Sequence, residues 1–114
     1  MSAITTHVLD TSRGRPAAGV AVTLEQAGAG GDWSLVGRGT TDPDGRARDL
    51  LPPAATLAAA TYRLTFATGA WFAAQGVVAF YPEVSIVFGV KDPQQHHHVP
   101  LLLSPFGYST YRGS

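Results

Sequence analysis

Gln95-His96-His97-His98-Val99-Pro100-Leu101-Leu102-Leu103-Ser104 reads as a β-strand, and the architecture hinges on which way its side chains face. Successive residues of a strand point to opposite sides of the sheet. His97, Val99, Leu101 and Leu103 therefore share one face, and His96, His98, Pro100 and Leu102 the other. Two leucines with a β-branched valine make the better core face. That choice turns His96 and His98 outward.

The neighbouring segments read the same way. A hairpin at Pro105 leads into a last strand over 106–113, in which Ser109, Tyr111 and Gly113 share a face and Tyr108, Thr110 and Arg112 take the other. At the opposite end, residues 3–10 form a first strand with Ile4, Thr6 and Val8 on one side and Thr5, His7 and Leu9 on the other. Ser12-Arg13-Gly14-Arg15-Pro16 is a turn. Between these ends lie a strand over 19–26 with Val20, Val22 and Leu24 inward, a glycine-rich connection over 27–32, and a strand over 33–41. The turn Thr41-Asp42-Pro43-Asp44-Gly45 precedes a short strand over 46–51, and 52–60 is a loop. Residues 61–68 alternate Tyr62, Leu64 and Phe66 inward, and 84–90 is a further strand. Only Gly69–Gln75 suits a short helix, with Gly76 as its C-cap. The total is about eight short strands between turn signals, the pattern of an all-β antiparallel sandwich or barrel. No internal repeat or linker divides residues 1–114, so one domain is expected.

Eight basic and eight acidic side chains cancel, without a run of either sign. The chain thus lacks the electrostatic footprint of a nucleic-acid or anionic-lipid binder. Cysteine is absent, which excludes disulfides, thiol catalysis and thiolate metal sites. Neither a signal peptide nor a membrane span is expected, and the default location is the cytoplasm. A small molecule or another protein chain is the expected partner.

If the first strand and the two final strands lie in one sheet, His7, His98 and Tyr111 project from one outer surface. Sheet neighbours stand about 5 Å apart, close enough to converge on one ligand. A face that also carries Leu9, Pro100 and Leu102 is too apolar to stay wet, so a second subunit is expected to cover it.

Thr6-His7-Val8-Leu9-Asp10, Gly14-Arg15-Pro16-Ala17, Thr41-Asp42-Pro43-Asp44-Gly45-Arg46, Tyr81-Pro82-Glu83, the run from His96 through Pro105, and Gly107 through Ser114 together resemble the transthyretin family. The match extends across the chain and is closest to its enzymatic branch, the 5-hydroxyisourate hydrolases. The terminal Tyr111-Arg112-Gly113-Ser114 is its most specific part, because hormone-carrying transthyretins lack it. They also lack histidines at His7 and His98 and an arginine at Arg46. One departure is His97, where the family more often has tyrosine. The resemblance implies a transthyretin-like sandwich of two four-stranded antiparallel sheets with one short helix, assembled as a homotetramer with active sites at subunit interfaces. It implies His7, Arg46, His98 and Ser114 as catalytic residues. It implies His7, Arg46, Tyr111, Arg112 and Gly113 as substrate-binding residues, and no metal or cofactor. His96 is common in the motif without a settled role.

The implied reaction is hydrolysis of 5-hydroxyisourate to 2-oxo-4-hydroxy-4-carboxy-5-ureidoimidazoline in urate degradation. Histidine suits deprotonation of the attacking water, because its pKa lies near neutrality. Arginine suits the growing oxyanion, because its donors are fixed and permanently charged. Which histidine is the base stays open. Taken singly, His7 is an ordinary strand histidine, Arg46 a solvated turn cation and the last four residues a frayed end; jointly they match a pattern. Two other classes compete. His96 and His98 point the same way and, with His7, offer a three-histidine zinc site for a cyclic amide hydrolase. Alternatively, the channel between subunits carries an aromatic ligand without chemistry.

Overall fold

The computed structural model describes residues 3–53 and 55–114; position 54 of the expected 52–60 loop, and the first two residues, lie outside them. Its elements in chain order are β1 (Ile4–Asp10), β2 (Arg15–Pro16), β3 (Ala21–Ala27), β4 (Trp33–Thr40), β5 (Arg46–Ala47), β6 (Ala60–Phe66), α1 (Thr68–Ala73), β7 (Val84–Val90), β8 (His97–Ser104) and β9 (Gly107–Thr110). One sheet runs β2-β1-β8-β9, with β5 also paired to β1, and the other runs β4-β3-β6-β7.

The alternation expected in each long strand is what packs these sheets together. Ile4 and Val8 of β1, Val99, Leu101 and Leu103 of β8, Val22 and Leu24 of β3, and Tyr62, Leu64 and Phe66 of β6 are all buried in one core. Full burial of such a side chain contributes roughly 1.5–3 kcal/mol, so these ladders hold the sandwich shut. His97 faces this core at 5% exposure, and its Nδ1 finds no hydrogen-bond partner. The second sheet turns a polar face to solvent. There Arg63 Nη2 and Glu25 Oε1 pair at 2.8 Å, with the Arg63 guanidinium 4.3 Å above the Trp33 ring. The first sheet's outer face instead carries Thr5, His7, Leu9, His98, Pro100 and Leu102. Of these, Thr5 and Pro100 are buried and the others half-buried.

Several expectations are corrected. The central pair β1–β8 is parallel, Thr5 standing opposite His98 and His7 opposite Pro100, so the sheets are not wholly antiparallel. Residue alternation is identical in either direction, so no residue pattern distinguishes the two. The first sheet has five strands because Arg15 and Pro16, expected within a turn, pair with Asp10 and Leu9. The strand expected over 46–51 stops at Ala47, after which Leu50 and Leu51 both enter the core and break the alternation. The final strand ends at Thr110, whose Oγ1 donates to the Pro100 carbonyl at 2.6 Å, and pairing resumes only as an isolated bridge between Gly113 and His98. The helix begins one residue early and ends two early, at Ala73. Its C-terminal turn closes on Gly76, at φ +71°, through Val77 N–H to the Phe72 carbonyl at 3.0 Å.

Candidate active site

The site is assembled on the outer face of the first sheet, where β5, β1, β8 and the chain end lie side by side. A turn delivers the arginine. Asp42 Oδ1 accepts the backbone N–H groups of Asp44 and Arg46, each at 2.9 Å, and Gly45, at φ +78°, offers its carbonyl to Val8 N–H at 2.7 Å. The Arg46 N–H, first among the causes, holds the Asp42 carboxyl below the usual carboxylate range. The outcome is register: Arg46 stands directly opposite His7 on β1.

Thr5, two residues before His7 and on the same face, holds His98 of β8 and also His96. His96 lies just before that strand, which begins at His97 and not at the expected Gln95. Its Oγ1 lies 2.8 Å from His98 Nδ1 and 2.9 Å from His96 Nε2. The two imidazoles stand 6.2 Å apart in a near-parallel stack, His96 exposed and His98 half-buried. The chain end closes over this pair, Gly113 N–H donating to the His98 carbonyl at 2.8 Å. A Cβ at Gly113 would come within 2.5 Å of His98 Cδ2, so glycine permits this approach. A cavity of about 300 Å³ results, lined by Thr5, Thr6, Arg46, Arg48, His96, His98 and Ser114. Burial, then the like charges of His96, His7 and Arg46, hold the His98 pKa below its ordinary value.

The structure therefore gathers Arg46, His98 and Ser114 in one cavity, with His7 beside them on the same face. Tyr111 and Arg112 line a neighbouring cleft of about 260 Å³ with His98, Ile86, Phe88, Val99 and Thr110, at the β7 side of the sandwich, so His98 borders both cavities; Tyr111 is 58% exposed. Arg112 Nη2 donates to Gln95 Oε1 at 3.1 Å. The ladder breaks after Thr110, so strand alternation no longer fixes the face of Tyr111, which lines the cleft on the β7 side of His98. Sequence reasoning missed Thr5 and Arg48. Thr5 had a signal, since it shares its face with His7. Among the described residues no group of three or more His, Cys, Asp or Glu side chains is arranged to hold a metal ion.

A two-sheet β-sandwich with histidines and an arginine on the outer face of one sheet is the class of protein defined so far. Residues 4–113 match the HIUase/Transthyretin family, and the chain belongs to that family. It is 45% identical over 111 residues to the 5-hydroxyisourate hydrolase of Salmonella dublin, covering 97% of this chain and 80% of that protein. The solved 5-hydroxyisourate hydrolase of Klebsiella pneumoniae superposes with a TM-score of 0.84 at 40% identity, over 97% of this chain and 92% of that one. Sea bream transthyretin in complex with thyroxine gives a TM-score of 0.90 at 32% identity, over 98% and 95% of the two chains.

Proposed function

We propose that this chain is a hydrolase that opens the six-membered ring of 5-hydroxyisourate to 2-oxo-4-hydroxy-4-carboxy-5-ureidoimidazoline, a step of urate degradation, without a metal. The observation that carries the reading is His98, anchored through Nδ1 and with its charged form disfavoured by burial, in the cavity that also holds Arg46 and Ser114.

Ring opening needs a base for water and donors for the oxygen that gains charge. With Nδ1 engaged by Thr5, His98 has Nε2 left for the water proton. His7 helps to position that water. Arg46, exposed at the cavity wall, binds the urate-like oxygens and stabilises the oxyanion as the tetrahedral intermediate forms. The Ser114 hydroxyl hydrogen-bonds the reacting group, and Gly113 admits the substrate close to the imidazole. Two guanidiniums, of Arg46 and Arg48, line the same cavity as the imidazoles and repel a cation there, which argues against a zinc hydrolase. The chain works as a homotetramer, in which Tyr111 and Arg112 complete the substrate pocket at a subunit interface.

The carrier reading draws support from the likeness to the thyroxine-binding sea bream protein, so the fold does not choose between the two. The charged lining of the cavity favours hydrolysis over storage of an aromatic ligand. The test follows the decay of freshly generated 5-hydroxyisourate in the ultraviolet. Wild-type protein is expected to accelerate it, while His98→Ala and a chain truncated after Thr110 lose about 10²-fold or more with the circular dichroism spectrum unchanged. A wild-type protein that leaves the decay unchanged but binds thyroxine overturns the assignment.

A further inference from the structure

One hydroxyl faces two ring nitrogens at the heart of the cavity. Thr5 is 3% exposed, and its Oγ1 reaches His98 Nδ1 at 2.8 Å and His96 Nε2 at 2.9 Å. A threonine hydroxyl has one proton to give and lone pairs to receive, while a neutral imidazole has one N–H and one bare nitrogen. Both contacts with neutral rings use the hydroxyl proton once and an imidazole N–H once when the chain of bonds runs in a single direction. Two directions exist. In one, His98 Nδ1–H donates to Oγ1, and Oγ1–H donates to His96 Nε2. His98 Nε2 is then bare and basic. In the reverse direction His98 carries its proton on Nε2 and has no lone pair to offer a water in the cavity.

We infer that Thr5 is a positioning residue which sets the first direction, fixing His98 as the Nδ1–H tautomer and joining it to the exposed ring of His96. The inference rests on the hydrolytic reading of the site and says how its base is prepared. The hydrolytic reading selects that direction, because only there does His98 Nε2 keep a lone pair for the water proton, and two features accommodate it. His96 is exposed and can hold its own Nδ1–H in water, so accepting through Nε2 leaves none of its polar atoms unmet. Thr5 is fixed by the β1–β8 ladder, directly opposite His98, so the geometry belongs to the backbone pairing and not to mobile side chains.

The same wire handles the charge made during turnover. Water gives its proton to His98 Nε2 as its oxygen bonds the ring carbonyl carbon. The Nδ1 proton can then shift to Thr5 Oγ1 while the Oγ1 proton shifts to His96 Nε2, moving the positive charge from the half-buried ring to the exposed one. When the acyl C–N bond breaks, the shifts reverse and His98 Nε2 delivers the proton to the departing nitrogen. No net proton is gained or lost by the protein.

The test compares Thr5→Val, which keeps the shape and removes the hydroxyl, with Thr5→Ser, which keeps the hydroxyl. Partners that fix the tautomer of a metal-bound histidine typically contribute about 10–100-fold, and the same scale applies to a partner that fixes the tautomer of a base. Thr5→Val is therefore expected to lower kcat for 5-hydroxyisourate by about 10–100-fold with KM within about threefold of wild type, and Thr5→Ser to restore most of the loss. Imidazole ¹⁵N NMR of the wild-type protein, assigned with His96→Gln, is expected to show His98 protonated at Nδ1 at neutral pH. A His98 signal protonated at Nε2 overturns the inference without any Thr5 variant, even if Thr5→Val fails to fold. Equal kcat in wild type and Thr5→Val overturns it as well, as does a Thr5→Ser variant as slow as Thr5→Val. A wild-type protein inactive on hydroxyisourate with His98 protonated at Nδ1 rejects the hydrolase reading and leaves the tautomer assignment standing.

Discussion

His98 gives up a proton more readily than a free imidazole, because burial and three cationic or potentially cationic neighbours oppose its charged form. The folded pKa lies below the unfolded value near 6.5, so the sign of two effects follows. Activity that needs the neutral base is expected to be flat above pH 7 and to fall only below 6.5, as a kcat/KM profile of hydroxyisourate decay would show. Stability moves the same way. Between 6.5 and the lower folded pKa the unfolded chain binds a proton that the folded one refuses, so acid weakens the fold across that window. Urea midpoints taken at pH 7.5 and pH 5.5 in wild type and His98→Gln isolate that contribution. Gly113 supplies a second prediction at this scale. Gly113→Ala is expected to lower activity tenfold or more without changing the melting temperature, because its Cβ displaces the His98 ring while burying nothing. The outward aim of His98 was readable from alternation alone. The break that turns Tyr111 into the β7-side cleft was not, since nothing local marks where the last ladder stops.

Among the elements, β5 has the greatest leverage for its size. Two residues of strand bring Arg46 opposite His7, and they depend on a turn whose Gly45 adopts a left-handed conformation against the Val8 carbonyl. Gly45→Ala adds the strain of that conformation, about 1–2 kcal/mol, to a contact with the β1 backbone. A fall in unfolding free energy of about 2 kcal/mol or more is expected by urea titration, with KM raised because the guanidinium is displaced. The Asp42-Pro43-Asp44-Gly45 turn was legible from its residue types. The brevity of the strand after it was not. Leu50 and Leu51 both go inward because the core takes them, a tertiary demand that overrides alternation.

For the whole molecule, four exposed aromatics gather in one region, apart from Leu35, Val87 and Tyr111, which are exposed elsewhere. Phe80 meets Tyr81 edge-on at 5.0 Å, Tyr81 meets Tyr108 at 5.3 Å, and Phe80 N–H donates to the Pro105 carbonyl at 2.8 Å. Phe80 and Phe106 are each about 70% exposed. Aromatics left in water at this density mark a contact surface. With the homotetramer that family resemblance implies, Phe80→Ser is expected to shift the sedimentation pattern toward smaller species and to lower hydroxyisourate turnover in parallel. Unchanged mass with unchanged turnover would detach the assembly from this patch.

The long strands, their inward faces and the outward aim of His98 were written in the order of the residues, because side-chain alternation is a local property of an extended backbone. The charge balance and the absence of cysteine likewise narrowed the chemistry before any fold was known. Strand order and direction were not local. The parallel pairing of β1 with β8 and the contact of Thr5 with a histidine 93 positions away depend on hydrogen bonds between distant segments. Those bonds form only when both sheets close on a common core, which is why the cavity shared by Arg46, His98 and Ser114 had to be seen in three dimensions.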